Sequence, residues 1–136
     1  MSTASWALQV AIHEALTADP GVRALLGRDK LFDDVPQGTA HPYVTFGIST
    51  ETDWSTGTET GHTHNVILNV WSMAPGRYEV QQIIAAIRRV LHDQSVALDG
   101  FQLINLRHVS SKISRTTDGE RWRGQVQLRA VTEANA

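Results

Sequence analysis

PYVTFGISTETDWSTGTETGHTHNVILNVWS, residues 42–72, decides how this chain folds. Two apolar runs, Tyr43–Ile48 and Asn65–Trp71, bracket about fifteen polar residues. In the second run Val66, Leu68 and Val70 alternate with Ile67, Asn69 and Trp71, the period of two that marks a strand. Neighbouring strands are usually joined by two to five residues, and longer loops tend to carry function. The reading is therefore two strands and a mobile loop over Ser49–Thr63. That loop is rich in Thr, Ser and Gly and carries Glu51, Asp53 and Glu59. Its one large aromatic, Trp54, is costly to leave uncovered, so the loop reads as a surface completed by a partner.

Upstream, Leu8, Ile12, Ala15 and Leu16 recur at helical spacing and predict an amphipathic helix over Ser5–Ala18. Asp19 and Pro20 open a second short helix, and Gly27 stops it. Pro36 and Pro42 hold the next segment extended or looped. Downstream, Val80, Ile83, Ile84, Ile87 and Leu91 form one stripe and predict a helix over Arg77–His92. Arg88, Arg89 and His92 suit the negative end of its dipole. Asp99-Gly100 predicts a tight turn between strands Val96–Leu98 and Phe101–Val109. In the last strand, Arg121–Val131, Trp122, Gly124, Val126, Leu128 and Ala130 face one way. Arg121, Arg123, Gln125, Gln127 and Arg129 face the other. The order α-α-β-β-α-β-β predicts an α+β fold: an antiparallel sheet of about four strands with helices on one face. At 136 residues, with no repeat or linker, the chain reads as one domain, 1–136.

Composition narrows the function. The chain has no cysteine, which removes disulfides, thiol catalysis and Cys-based zinc sites. No apolar run approaches the ~20 residues of a membrane helix, and no signal peptide is expected. A net charge of −2 argues against gripping nucleic acid through bulk charge.

That net charge hides a segregation. Residues 31–76 hold five carboxylates and no Lys or Arg, a balance of −5. Residues 101–136 hold six cations and three carboxylates, a balance of +3. The two regions can neutralise each other within one sheet, or meet across subunits in a head-to-tail interface. The second reading makes Glu51, Asp53, Trp54 and Glu59 one candidate interface set. Lys112, Arg115, Arg121, Arg123 and Arg129 make the other.

Enzyme constellations are weak. His62 and His64 can share one side of a strand, but no third metal ligand is spaced to join them. Asp33-Asp34 point oppositely in an extended chain, Ser55 and Ser72 lie in no nucleophile elbow, and Gly57–Gly61 lacks the Lys and helix of a phosphate loop. No catalytic, cofactor or metal residues are assigned.

Five segments carry a resemblance: PQGTAHPYVTFG (36–47), TDWSTGTETG (52–61), NVWSMAPGRYEVQQIIAAI (69–87), LDGFQLINLR (98–107) and DGERWRGQVQLRA (118–130). In this order and spacing they resemble the tail-completion, or tail-terminator, proteins of long non-contractile-tailed phages and gene transfer agents. The resemblance implies an α+β protomer and a homo-oligomeric ring, commonly a hexamer, closing the head-proximal end of a tail tube. It implies a tail tube protein and a neck or connector protein as partners, with DNA only passing through the lumen. It implies neither cofactor nor membrane, assembly in the host cytoplasm, and residence in the tail or neck of the particle. The alternatives are another head–tail connector component, an adaptor or stopper, and a small cytoplasmic ligand-binding or enzymatic α+β domain.

Overall fold

The first helix, α1 (Ala4–Ala18), starts where the Thr3 hydroxyl accepts the Trp6 backbone N–H at 3.1 Å. The computed structural model describes residues 3–135. Leu8, Ile12 and Leu16 are buried along one face of α1. Asp19 is extended and ends α1, and its carboxylate accepts the Val22 N–H at 3.0 Å to start α2 (Pro20–Leu26). Pro20 sits at the first position, where a missing N–H costs nothing. Gly27, at φ +88°, takes the left-handed cap that ends α2.

A five-stranded sheet follows, ordered β1-β2-β3-β5-β4. Its strands are β1 (Leu31–Phe32), β2 (Tyr43–Asp53), β3 (Gly61–Ser72), β4 (Phe101–Arg115) and β5 (Trp122–Ala134). β1 pairs parallel to β2, and every other pairing is antiparallel. Helix α3 (Tyr78–Leu91) connects β3 to β4 and buries the predicted stripe Val80, Ile83, Ile84, Ile87 and Leu91. All helices cover one face, where His64, Val66, Leu68, Val70 and Ser72 of β3 are buried. Trp122, Gly124, Val126, Leu128 and Ala130 of β5 meet them there, as their alternation predicts. Gly124 is the point of closest approach. A Cβ there would lie 2.6 Å from Val80 Cγ1 and 2.9 Å from Ile84 Cδ1, so glycine lets α3 lie on the sheet.

The structure is α+β as expected, and it corrects several boundaries. The fifth strand, β1, is a two-residue parallel pairing of Leu31 and Phe32 with Val44 and Thr45. Val96–Leu98 is no strand; Leu98 makes one bridge to Phe101 across the Asp99-Gly100 turn. β4 continues past Val109 to Arg115 because bulges at 103–105 and 108–110 keep it in register with twisted β5. The expected loop Ser49–Thr63 is mostly hairpin. β2 runs on to Asp53, and Thr50↔Asn65, Glu51↔His64 and Thr52↔Thr63 pair across it. Only residues 54–60 form the connection. The extension is polar on both faces, and β-branched threonines pair well there without any apolar alternation.

Candidate assembly interface

The β2–β3 hairpin extends the sheet as an acidic arm. Glu51 and Asp53 sit at register positions on the helix-side face. Glu51 is held by its own protomer: the Ser5 hydroxyl donates to it, and His62 Nε2 lies 3.2 Å from Oε1. His64 Nδ1 is 4.0 Å from Oε2, and His64 Nε2 is 2.9 Å from Thr132 Oγ1. The paired imidazoles, with ring centroids 6.1 Å apart, thus frame a carboxylate. Burial pushes the His64 pKa down, against the pull of Glu51, so His64 is neutral near pH 7. Among the described residues no group of three His, Cys, Asp or Glu is placed to hold a metal ion.

The tip is cross-linked by its own hydrogen bonds. Ser55 donates its backbone N–H to Asp53 at 2.7 Å, and hydrogen bonds from Ser55 lower the Asp53 pKa. Thr56 N–H donates to Glu59 O at 2.8 Å, while Thr56 Oγ1 accepts from the Thr58 and Glu59 N–H groups. Trp54 is half-buried, with its indole flat on Gly61 where a Cβ would collide with the ring. Glu59 stays exposed at the tip.

The basic set lies elsewhere. Lys112, Arg123 and Arg129 project from the face opposite the helices. Arg121 and Arg123 lie over the Trp71 ring, at 4.5 and 6.0 Å from its centroid, and Arg115 lies 4.8 Å from that of Trp122. Arg121 Nη1 also donates to the Tyr43 hydroxyl at 3.4 Å. β2 and β4 are separated by β3 and β5, so Lys112 and Arg115 of β4 stand at the edge opposite the acidic arm, while Arg123 and Arg129 lie on the interior strand β5. Among the described residues no ion pair joins the two sets.

Both edges are unpaired over most of their length. β1 covers only Val44 and Thr45 of β2. Each edge is bulged and presents apolar side chains: Ile48 (77% exposed) on β2, Ile104 (46%) and Val109 (49%) on β4. Sequence reasoning missed these three. A bulge breaks the alternation that would have placed them, and no local signal marks it.

Between α3 and β4 runs an open groove of about 590 Å³ with Ile84, Ala85 and Ile113 in its lining and Arg88, His92 and His108 around it. His108 Nε2 lies 2.6 Å from Ser111 Oγ, a serine–histidine pair. Burial and the Arg88 charge lower the His108 pKa. Among the described residues no carboxylate bonds the other ring nitrogen, so the pair lacks the orienting third group of a nucleophilic triad.

A model of the tail completion protein gp17 family matches residues 10–133. The fold matches a chain in the virion of a native gene transfer agent particle, with TM-score 0.91 and 28% identity, over 98% of this chain and 100% of that one. It also matches the bacteriophage SPP1 gp17 protein, with TM-score 0.63 and 24% identity, over 93% of this chain and 89% of that one. No curated protein matches the sequence.

Proposed function

The chain belongs to the tail completion protein gp17 family, a family of phage structural proteins, and from that premise we propose that it forms a closed ring at the head-proximal end of a tail tube. The ring, six subunits in the family's pattern, ends tube growth and then joins the neck. Assembly takes place in the host cytoplasm, and the ring stays in the tail of the finished phage or gene transfer agent particle. The observation that supports this is the placement of Glu51 and Asp53 on one sheet edge and of Lys112 and Arg115 on the other, with no ion pair between them among the described residues.

Head-to-tail contact brings two different edges together, so complementary edges close a ring and like edges do not. The β2–β3 arm, with Asp53, Trp54 and Glu59 at its end, meets the β4 edge of the next protomer near Lys112 and Arg115. Ile48, Ile104 and Val109 supply the apolar part of that contact, which charge alone does not provide. Arg121 serves by holding Trp71 in place, and Glu51 by fixing the arm to α1. The rim of the sheet remains for the tube and neck proteins.

The test is mass in solution combined with negative-stain images. Wild type is expected as a ring. Asp53→Lys with Glu59→Lys should shift it toward monomer, more at about 50 mM salt than at about 500 mM, because exposed pairs are screened. Adding Lys112→Glu and Arg115→Glu should restore it. A ring unchanged by the first pair at both salts would remove the electrostatic part of the proposal, and a strict wild-type monomer would remove the ring.

A further inference from the structure

Four cations stand on the sheet face turned away from the helices: Arg107 and Lys112 from β4, Arg123 and Arg129 from β5. Arg107 and Arg129 are directly opposed in register, a like-charge pairing that a sheet tolerates only at a cost. Arg107 has Asp93 3.5 Å away; the other three have no ion-pair partner among the described residues. On this face of β5 the one carboxylate is Glu133, at the far end. The surface between the cations is mostly amide and hydroxyl, from Asn65, Gln125, Gln127 and Ser110, with Gln127 donating to Asn65 at 3.5 Å; half-buried Ile67 and Val131 are the aliphatic side chains beside them.

We propose that this open face binds the phosphodiester backbone of duplex DNA without reading its sequence. Arg, Lys and neutral amides are the groups that bind phosphate and sugar oxygens. Arg123 and Arg129 are six residues apart on β5, about 20 Å at strand spacing, which spans some six base-pair steps of a duplex. An acidic protein is the competing occupant. Stable protein interfaces have an apolar, aromatic centre. The exposed large apolar side chains lie off this face: Ile48, Ile104 and Val109 on the bulged edges, Trp6 and Tyr78 on helices and Met73 just past β3, while Trp71 is capped by Arg121 and Arg123. The exposed apolar chemistry is thus off the face and the phosphate-binding chemistry on it. Net charge conceals this because the carboxylates are gathered on the arm.

The position of this face in a particle rests on the ring reading above. Joining sheet edge to edge around a ring curves it, and the bulkier helix layer takes the longer outer circumference. The open face then lines the lumen, where its cations hold passing DNA; a neutral lining would let it slide.

The experiment is fluorescence anisotropy of wild-type protein with a labelled random-sequence duplex of about 25 base pairs, at about 20 to 100 mM salt. With Lys112 taken by the ring contact and Arg107, Arg123 and Arg129 each on a phosphate, log K should fall against log salt with a slope of about −2.7, a loss of about 80-fold over that range. Arg123→Gln with Arg129→Gln, both away from the sheet edges, should reduce the slope to about −0.9. Arg23→Gln, off this face, should leave it unchanged. Thermal melts of the variants confirm folding. No binding at about 20 mM salt, or an unaltered slope in the double variant, overturns the proposal. Tighter binding of a polyglutamate peptide than of DNA at equal charge also overturns it and assigns the face to an acidic protein. A monomer with the expected slope supports the DNA contact and removes only its place in a lumen.

Discussion

Whether Trp54 belongs to its own protomer or is held ready for a partner can be measured at Gly61. The Trp54 indole lies against Gly61, and a methyl there would come within 2.1–2.4 Å of three ring atoms. In Gly61→Ala the ring has to leave. A Trp buries 150–250 Å² when fully covered, so half-buried Trp54 loses roughly 100 Å² of cover, about 2.5 kcal/mol at 25 cal/mol per Å². Replacing glycine at an extended position returns about 0.4–1 kcal/mol through the unfolded chain. The net cost is about 1.5–2 kcal/mol. With an unfolding entropy of ~2.1 cal/mol/K per residue, that lowers the melting temperature by about 5–7 °C. The assay is a double-mutant cycle by thermal melting: wild type, Gly61→Ala, Trp54→Ala and the pair. In the Trp54→Ala background Gly61→Ala should be neutral or slightly stabilising, a coupling of about 2 kcal/mol. Equal costs in both backgrounds would refute the stacking. Trp54→Ala itself should lose less than the ~3–5 kcal/mol of a core tryptophan, since the indole is only half-buried. If such a folded variant no longer forms rings, the same ring face serves a neighbour as well.

Two further outcomes follow from the packing and the histidines. Gly124→Ala should destabilise by about 1–3 kcal/mol in a denaturant melt, because the new methyl meets Val80 and Ile84; an unchanged midpoint would show that α3 lifts freely. Burial lowers the pKa of His41, His64 and His108, so the unfolded chain takes up their protons first as pH falls. Their stability contribution is complete above about pH 6.5 and declines below it, at up to about 1.4 kcal/mol per pH unit for each. Melting temperature should therefore fall between pH 7.5 and 5.5, less steeply in His64→Gln. A flat profile would contradict neutral burial.

The residues alone determined whatever one-sided burial stamps on a local pattern. β5 was legible because alternate residues from Trp122 to Ala130 enter the core, and α3 because Val80 to Leu91 falls on one stripe. Asp19, Pro20 and Gly27 declared the second helix because their backbone preferences are local. The arm was not legible. From Ser49 to Thr63 neither face is buried against a core, so its threonines form strands without a period to announce them. β1 was hidden because two residues pair with a partner whose own chemistry does not specify them. Charge segregation was visible as composition, and its meaning was not. Only strand order, with β3 and β5 between β2 and β4, and register, which lines up four cations on one face, decide where those charges lie. Both are long-range pairings, set by which surfaces bury best together and not by any residue's neighbours in the chain.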